Sequence, residues 1–265
     1  MRPIPRPAWM ASYLGIIPAL ISSIRQHPAG VEPTLDSIPQ VNGPMLKNQP
    51  LSTIIRNMQE DGFRTWGFVV YRCACASDSQ WASYLEFLKE AVREYLQFVE
   101  LETLLWKHLE WTIIEDPPDL DGASKQHVRE KFSDWAAARS VERDGPGADD
   151  PWLRNRPRFK YCIYVDQRCL DTVDQHETWV EQGAPGPLKN VVCVIIDRTA
   201  KPKGRGRNGY PSVEGCVKMD TGWMYTSLGA IPDVYNRLSF EELSEHDYPR
   251  PPQVFPLGDP MPFDP

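Results

Sequence analysis

The stretch TWGFVVYRCACASDSQWASYLEFLKEAV, residues 65–92, constrains this chain more than any other part of it. Trp66, Phe68 and Val70 alternate with Gly67, Val69 and Tyr71, so both sides of an extended segment are apolar. A strand of that kind is covered on both faces and lies inside a sheet, not at its edge. Ser77 followed by Gln80 has the spacing of a capping box, which satisfies orphan amides of a first helical turn. Trp81, Tyr84, Leu85, Leu88, Val92, Tyr95, Leu96 and Val99 then recur at helical spacing, with Glu86, Lys89, Glu90, Arg93, Glu94 and Gln97 between them. A central strand therefore leads into one long amphipathic helix that packs on the sheet.

The remaining elements follow from the same two periods. A second strand is expected within residues 109–116, stopped by Pro117 and Pro118, and a second helix from Ser124 to Val141 with Val128, Phe132, Trp135 and Ala136 inward. Residues 158–166 and 190–197 read as strands, 213–219 and 222–228 as a further pair, and Pro232 as the first turn of a short helix. Ser239 with Glu242 offers another capping box. Strands and helices alternate first, and then strands run together. That order predicts an α+β fold with a mixed, largely antiparallel sheet, helices packed on one face, rather than a doubly wound nucleotide fold.

The 26 prolines among 265 residues, about twice the usual share, gather towards the two ends. The division expected is a flank over residues 1–50, one domain over 51–248 and a proline-rich tail over 249–265. Residues 25–50 read as a linker or wrapping segment. Residues 8–24, preceded by Arg2 and Arg6 and by no acidic residue, have the polarity of a targeting peptide; a segment packed on the domain is the other reading. The run is interrupted by Pro18 and is too short for a membrane span, which takes about 20 apolar residues. In the tail, PRPPQVFP (249–256) either drapes over the domain or presents a polyproline docking segment.

A net charge of −7 gives no general reason to bind nucleic acid or anionic lipid. Six cysteines (Cys73, Cys75, Cys162, Cys169, Cys193 and Cys216) are scattered, several within apolar runs, and read as core thiols in a reducing compartment. The compartment expected is the cytoplasm, with secretion or mitochondrial import as alternatives if residues 1–29 are a targeting segment.

The candidate sites are few. The strand-to-helix turn CACASDSQ has no glycine for close approach to a phosphate, which argues against a dinucleotide or P-loop site. Cys73 and Cys75 sit near a helix N-terminus that lowers thiol pKa values, yet no Cys-x-x-Cys and no nearby ligand set accompany them. Arg72 leaves a central strand where open sheets place ligands, and Asp166 at the exit of another strand is its expected ion-pair partner. A pocket gathering Arg72, Tyr71, Asp166 and Trp223 is the candidate ligand site. Asp166, Asp171, Asp174, His176 and Glu177 concentrate acidic groups, but without the spacing of a calcium loop or an HExxH helix, so a solvated face is expected and no metal. Lys201, Lys203, Arg205 and Arg207 make a basic loop that offers contacts to anions. It has little aromatic interleaving, so nucleic acid is not favoured as a partner. No Gly-x-Ser-x-Gly elbow or Cys/His dyad is evident.

WGFVVYRC (66–73) followed by Trp81, RFKYCIYVDQRCLDTV (158–173), GWM (222–224), Tyr235 and RPP (250–252) together resemble a group of filamentous-fungal proteins with no assigned activity. The resemblance spans roughly residues 60–255 and implies a fungal origin. It carries no site residues and argues against a standard housekeeping enzyme. The expectation is a cofactor-free protein that binds a protein partner or a small molecule. An enzyme of fungal secondary metabolism and a secreted effector are the alternatives.

Overall fold

Burial on both faces sets the position of the first strand. In the computed structural model, which describes residues 19–28, 30–43, 49–185, 189–201, 209–245, 248–256 and 261, every residue from Trp66 to Ala74 is buried. Within this run β1 (Val69–Arg72) pairs in parallel with β2 (Thr112–Ile114) on one side and β3 (Tyr161–Val165) on the other. Val70 thus lies opposite both Ile113 and Ile163. The strand breaks at Gly67, which has φ of 111°. A Cβ there would lie 2.6 Å from the carbonyl oxygen of Glu110, so only glycine lets the two backbones approach. Next to it Trp66 bridges Leu109.

The sheet continues through β4 (Val192–Asp197), β5 (Trp223–Ser227) and β6 (Val254–Phe255), in the order β2-β1-β3-β4-β5-β6. The fold is α+β around a mixed sheet, as the element order indicates. Three strand pairings are parallel and two antiparallel, so the two kinds are closely balanced.

Helix α1 (Ala19–Arg25) places Leu20 in the core, and α2 (Ser52–Asp61) follows. The long helix α3 (Asp78–Phe98) starts where expected: the Gln80 amide donates to Ser77 Oγ at 3.2 Å. The reciprocal half of the capping box is missing, because the Gln80 amide group reaches Asp174 instead, at 2.7 Å. The Tyr84 hydroxyl, inside the buried stripe of α3, donates to the Val192 carbonyl at 2.8 Å. Helix α4 (Lys125–Ala137) sets Phe132 edge-on to Tyr71, at 6.4 Å. Helix α5 (Gln167–Glu181) packs beside α3, and α6 (Ile231–Arg237) brings Tyr235 to within 4.9 Å of Phe68. Asn236 in α6 accepts from the Thr53 and Ile54 amides and so caps α2 from outside its own segment.

Tyr71 meets α4 and its neighbour Arg72 meets α3, so these helices cover opposite faces of the sheet. The expectation of helices on one face is replaced by an uneven two-face arrangement. Chirality supplies the reason. The crossover from β1 to β2 and the return from β2 past β1 to β3 run in opposite directions, and right-handed connections then require their helices on opposite sides.

The flanks join the same core. Leu35, Ile38 and Val41 are buried against it, and Gln59 fixes this wrapping segment by bonding the Val41 amide and the Leu35 and Pro39 carbonyls. At the other end Val254 and Phe255 pair in parallel with Tyr225 and Thr226. The tail therefore extends the sheet and is not presented as a free polyproline segment. Residues 213–219 form a tight turn bridged between Val213 and Cys216 in place of a strand, because Glu214 and Gly215 both adopt positive φ. No helix starts at Ser239, whose hydroxyl bonds the Tyr235 carbonyl behind it. Among the described residues no helix is long and apolar enough to cross a membrane.

Candidate functional site

The four residues expected to share a pocket are dispersed. Arg72, with only 5% of its side chain exposed, pairs with Asp78 at 2.6 Å and Glu115 at 3.2 Å. It also donates to the Ala74 carbonyl, and its guanidinium lies 5.4 Å from the Trp81 ring centre. Asp166 is not its partner. That carboxylate accepts from the Cys169 amide at 3.1 Å as the N-cap of α5, a role fixed by its place one residue past β3. Tyr71 lies on the sheet face opposite Arg72, against Phe132, and burial pushes its phenol well above the ordinary range. Of the basic loop, Lys201 is exposed, while Lys203, Arg205 and Arg207 lie outside the described residues.

The thiols after β1 behave as filling. Cys73 is 2% exposed, and burial raises its pKa; burial is also the largest cause of the rise at half-buried Cys75. Neither is poised as a thiolate. None of the six cysteines is joined in a disulfide. His176, in the acidic stretch, is buried; its ring bonds the Lys189 carbonyl at 2.6 Å and stands edge-on to Phe87. Among the described residues no three His, Cys, Asp or Glu side chains are grouped to hold a metal ion.

Trp223 is the member of the expected set that faces a cleft. An opening of about 210 Å³ lies between α4 and residues 213–223, lined by Lys125, Gln126, Arg129, Glu214, Cys216 and Trp223 among others. Lys125 begins α4 just after its cap, Ser124, whose hydroxyl accepts from the His127 amide. Its ammonium lies 4.2 Å from the centre of the Trp223 ring and 5.1 Å from that of Tyr164. Two aromatic faces thus partly replace the water it has lost. Its side chain is 8% exposed, and it pairs with Glu214 at 2.5 Å.

One helical turn on, Arg129 shares that wall of the cleft. It is 5% exposed, and its partners are the Asp197 carbonyl at 2.9 Å, the Gly222 carbonyl at 3.2 Å and the Gln126 side-chain oxygen at 2.7 Å. Each of these is a neutral oxygen. Burial lowers the guanidinium pKa from its ordinary value, with the charge of Asp197 opposing. Two buried cations beside an opening can orient an anionic group, and the aromatic wall can cover an apolar body.

Of the residues lining this cleft, Trp223 is legible in the sequence as a site candidate, whereas Lys125, Arg129 and Glu214 are not. An amphipathic pattern assigns charged residues to the solvent side, and Lys125 and Arg129 lie inside because rings and carbonyls receive them. Their i, i+4 spacing was the available signal. Compared with protein families, with curated proteins and with solved structures, the chain matches none of them.

Proposed function

We propose that this chain works by binding a small organic molecule in the cleft between α4 and residues 213–223. The carrying observation is Lys125: an ammonium with 8% of its side chain exposed, at the wall of an open cleft, between two aromatic faces. At about 210 Å³ the cleft lies below the range of drug-sized pockets, which suits a compact metabolite. Six cysteines outside any disulfide support a reducing compartment such as the cytoplasm, and the resemblance to fungal proteins supports a fungal source.

Thermal unfolding against a panel of small carboxylates, phosphates and their neutral analogues tests this reading. A ligand present at 100 times its Kd stabilises by about 2.7 kcal/mol, a shift of about 5 °C or more for a chain of this size. The shift is expected in the wild type and lost in Trp223→Ala, which removes the aromatic wall. If no member of the panel stabilises the protein, or if the stabilisation survives Trp223→Ala, the cleft is not the site.

A further inference from the structure

Glu214 approaches Lys125 as a ligand would. Its side chain is 53% exposed, against 8% for the lysine it meets, so the carboxylate covers the ammonium from the solvent side. The turn that delivers it is small and well tied. Val213 and Cys216 exchange two backbone hydrogen bonds of 3.0 and 2.9 Å, and Arg250 holds the Cys216, Pro211 and Lys218 carbonyls. At its tip Glu214 takes a φ of 49°, a left-handed conformation unfavourable for a residue with a side chain. The neighbouring cation, Arg129, makes its hydrogen bonds to neutral oxygens and is left without a counter-charge in direct contact among the described residues. A buried guanidinium in that state attracts an anion more strongly than a carbonyl satisfies it.

We propose that Glu214 is an internal stand-in for the ligand's acidic group, and that the natural ligand is an organic carboxylate with a compact apolar body. Its carboxylate displaces Glu214 from Lys125 and comes within reach of Arg129, while the body packs against Val213 and Trp223. This rests on the binding reading above and adds to it both a ligand class and a built-in competitor. An intramolecular carboxylate lowers the apparent affinity of every external one by the fraction of time it occupies the site.

The test is isothermal titration of the full chain with benzoate and with neutral benzamide, for the wild type, Glu214→Gln and Lys125→Met. Removing the competitor is expected to tighten benzoate binding about tenfold or more in Glu214→Gln and to leave benzamide unchanged. Lys125→Met is expected to abolish benzoate binding. Equal benzoate affinity in the wild type and Glu214→Gln overturns the proposal, as does an equal gain for benzamide. Should Glu214→Gln fail to fold, Glu214→Asp, which keeps the charge but shortens the reach, is expected to show the same direction of change. A wild type that binds benzamide in the cleft while Glu214→Gln gains nothing leaves the binding reading standing and removes the competitor. If neither protein binds either probe and the wider panel is also silent, both fall.

Discussion

Single residues carry consequences here that their chemical type alone does not suggest. Gly67 has no side chain, yet it sets how closely two backbones meet: its φ of 111° and the 2.6 Å between a built Cβ and the Glu110 oxygen leave no room for alanine. Gly67→Ala is expected to cost about 3 kcal/mol, through strain and loss of contact between neighbouring segments. Urea unfolding measures it, and a midpoint within error of the wild type would refute the close-approach account. Asp197 works in the opposite sense. It is 8% exposed, and burial raises its pKa from the ordinary 3.8 although the Thr199 amide and hydroxyl both donate to it. The folded state therefore holds the proton to a higher pH than the unfolded chain does. Stability from this group is present below about 3.8 and lost as pH rises through the raised folded value, where a buried charge must be carried. Asp197→Asn keeps an acceptor for Thr199 without the charge. It is expected to be more stable than the wild type near pH 7, with the advantage closing near pH 4. Urea titrations at those two pH values decide it, and an advantage independent of pH excludes the buried charge as its cause.

At the scale of elements, the least legible piece is the one that closes the sheet. Prolines at 249, 251, 252 and 256 signal an absence of ladder bonds, and the two-residue strand between them gives no period to detect. It forms because Val254 and Phe255 reach the open edge of β5 and bury their side chains there. Ending the chain at Arg250 removes these two residues and Met261, a loss of up to about 9 kcal/mol by apolar burial. It also leaves β5 as an unpaired edge, open to pairing between copies. The truncated chain is expected to unfold at lower urea and to elute partly as larger species on size exclusion. A monomer with an unchanged midpoint would mean that β6 is merely draped on the surface. By contrast, β1 and α3 were legible because two strong and different periods meet at Ser77. The two-face layering was also within reach, since it follows from crossover chirality once the strand order is known. Nothing in the sequence, though, places β3 beside β1 instead of beyond β2. Residues 213–219 failed as a strand for a local reason: the turn at Glu214 and Gly215 folds the segment on itself and thereby delivers the carboxylate to Lys125.

For the molecule as a whole, the question raised by the cysteines after β1 becomes one about cooperativity. Cys162, Cys169 and Cys193 are fully buried in the sheet and in α5, Cys73 lies at the end of β1, and Cys216 lines the cleft with 7% exposure. Cys75 alone is half-buried. Five thiols thus sample the core, the strand end and the cleft wall, and each reacts with a reagent in solution only when its own region opens. If the wrapping segment, the six-stranded sheet and the tail unfold as one unit, native protein should label quickly at about one thiol with a disulfide reagent. Cys75→Ser should bring that count close to zero. All six should react once the chain is unfolded in urea. The slow thiols should then share one rate, set by global opening, because a core joined through both flanks leaves no smaller unit to release them. Separate rates, with Cys216 ahead of Cys162, would instead show that the turn over the cleft opens by itself. That pattern would contradict a single cooperative unit, yet it would agree with a Glu214 contact that must break before a ligand enters.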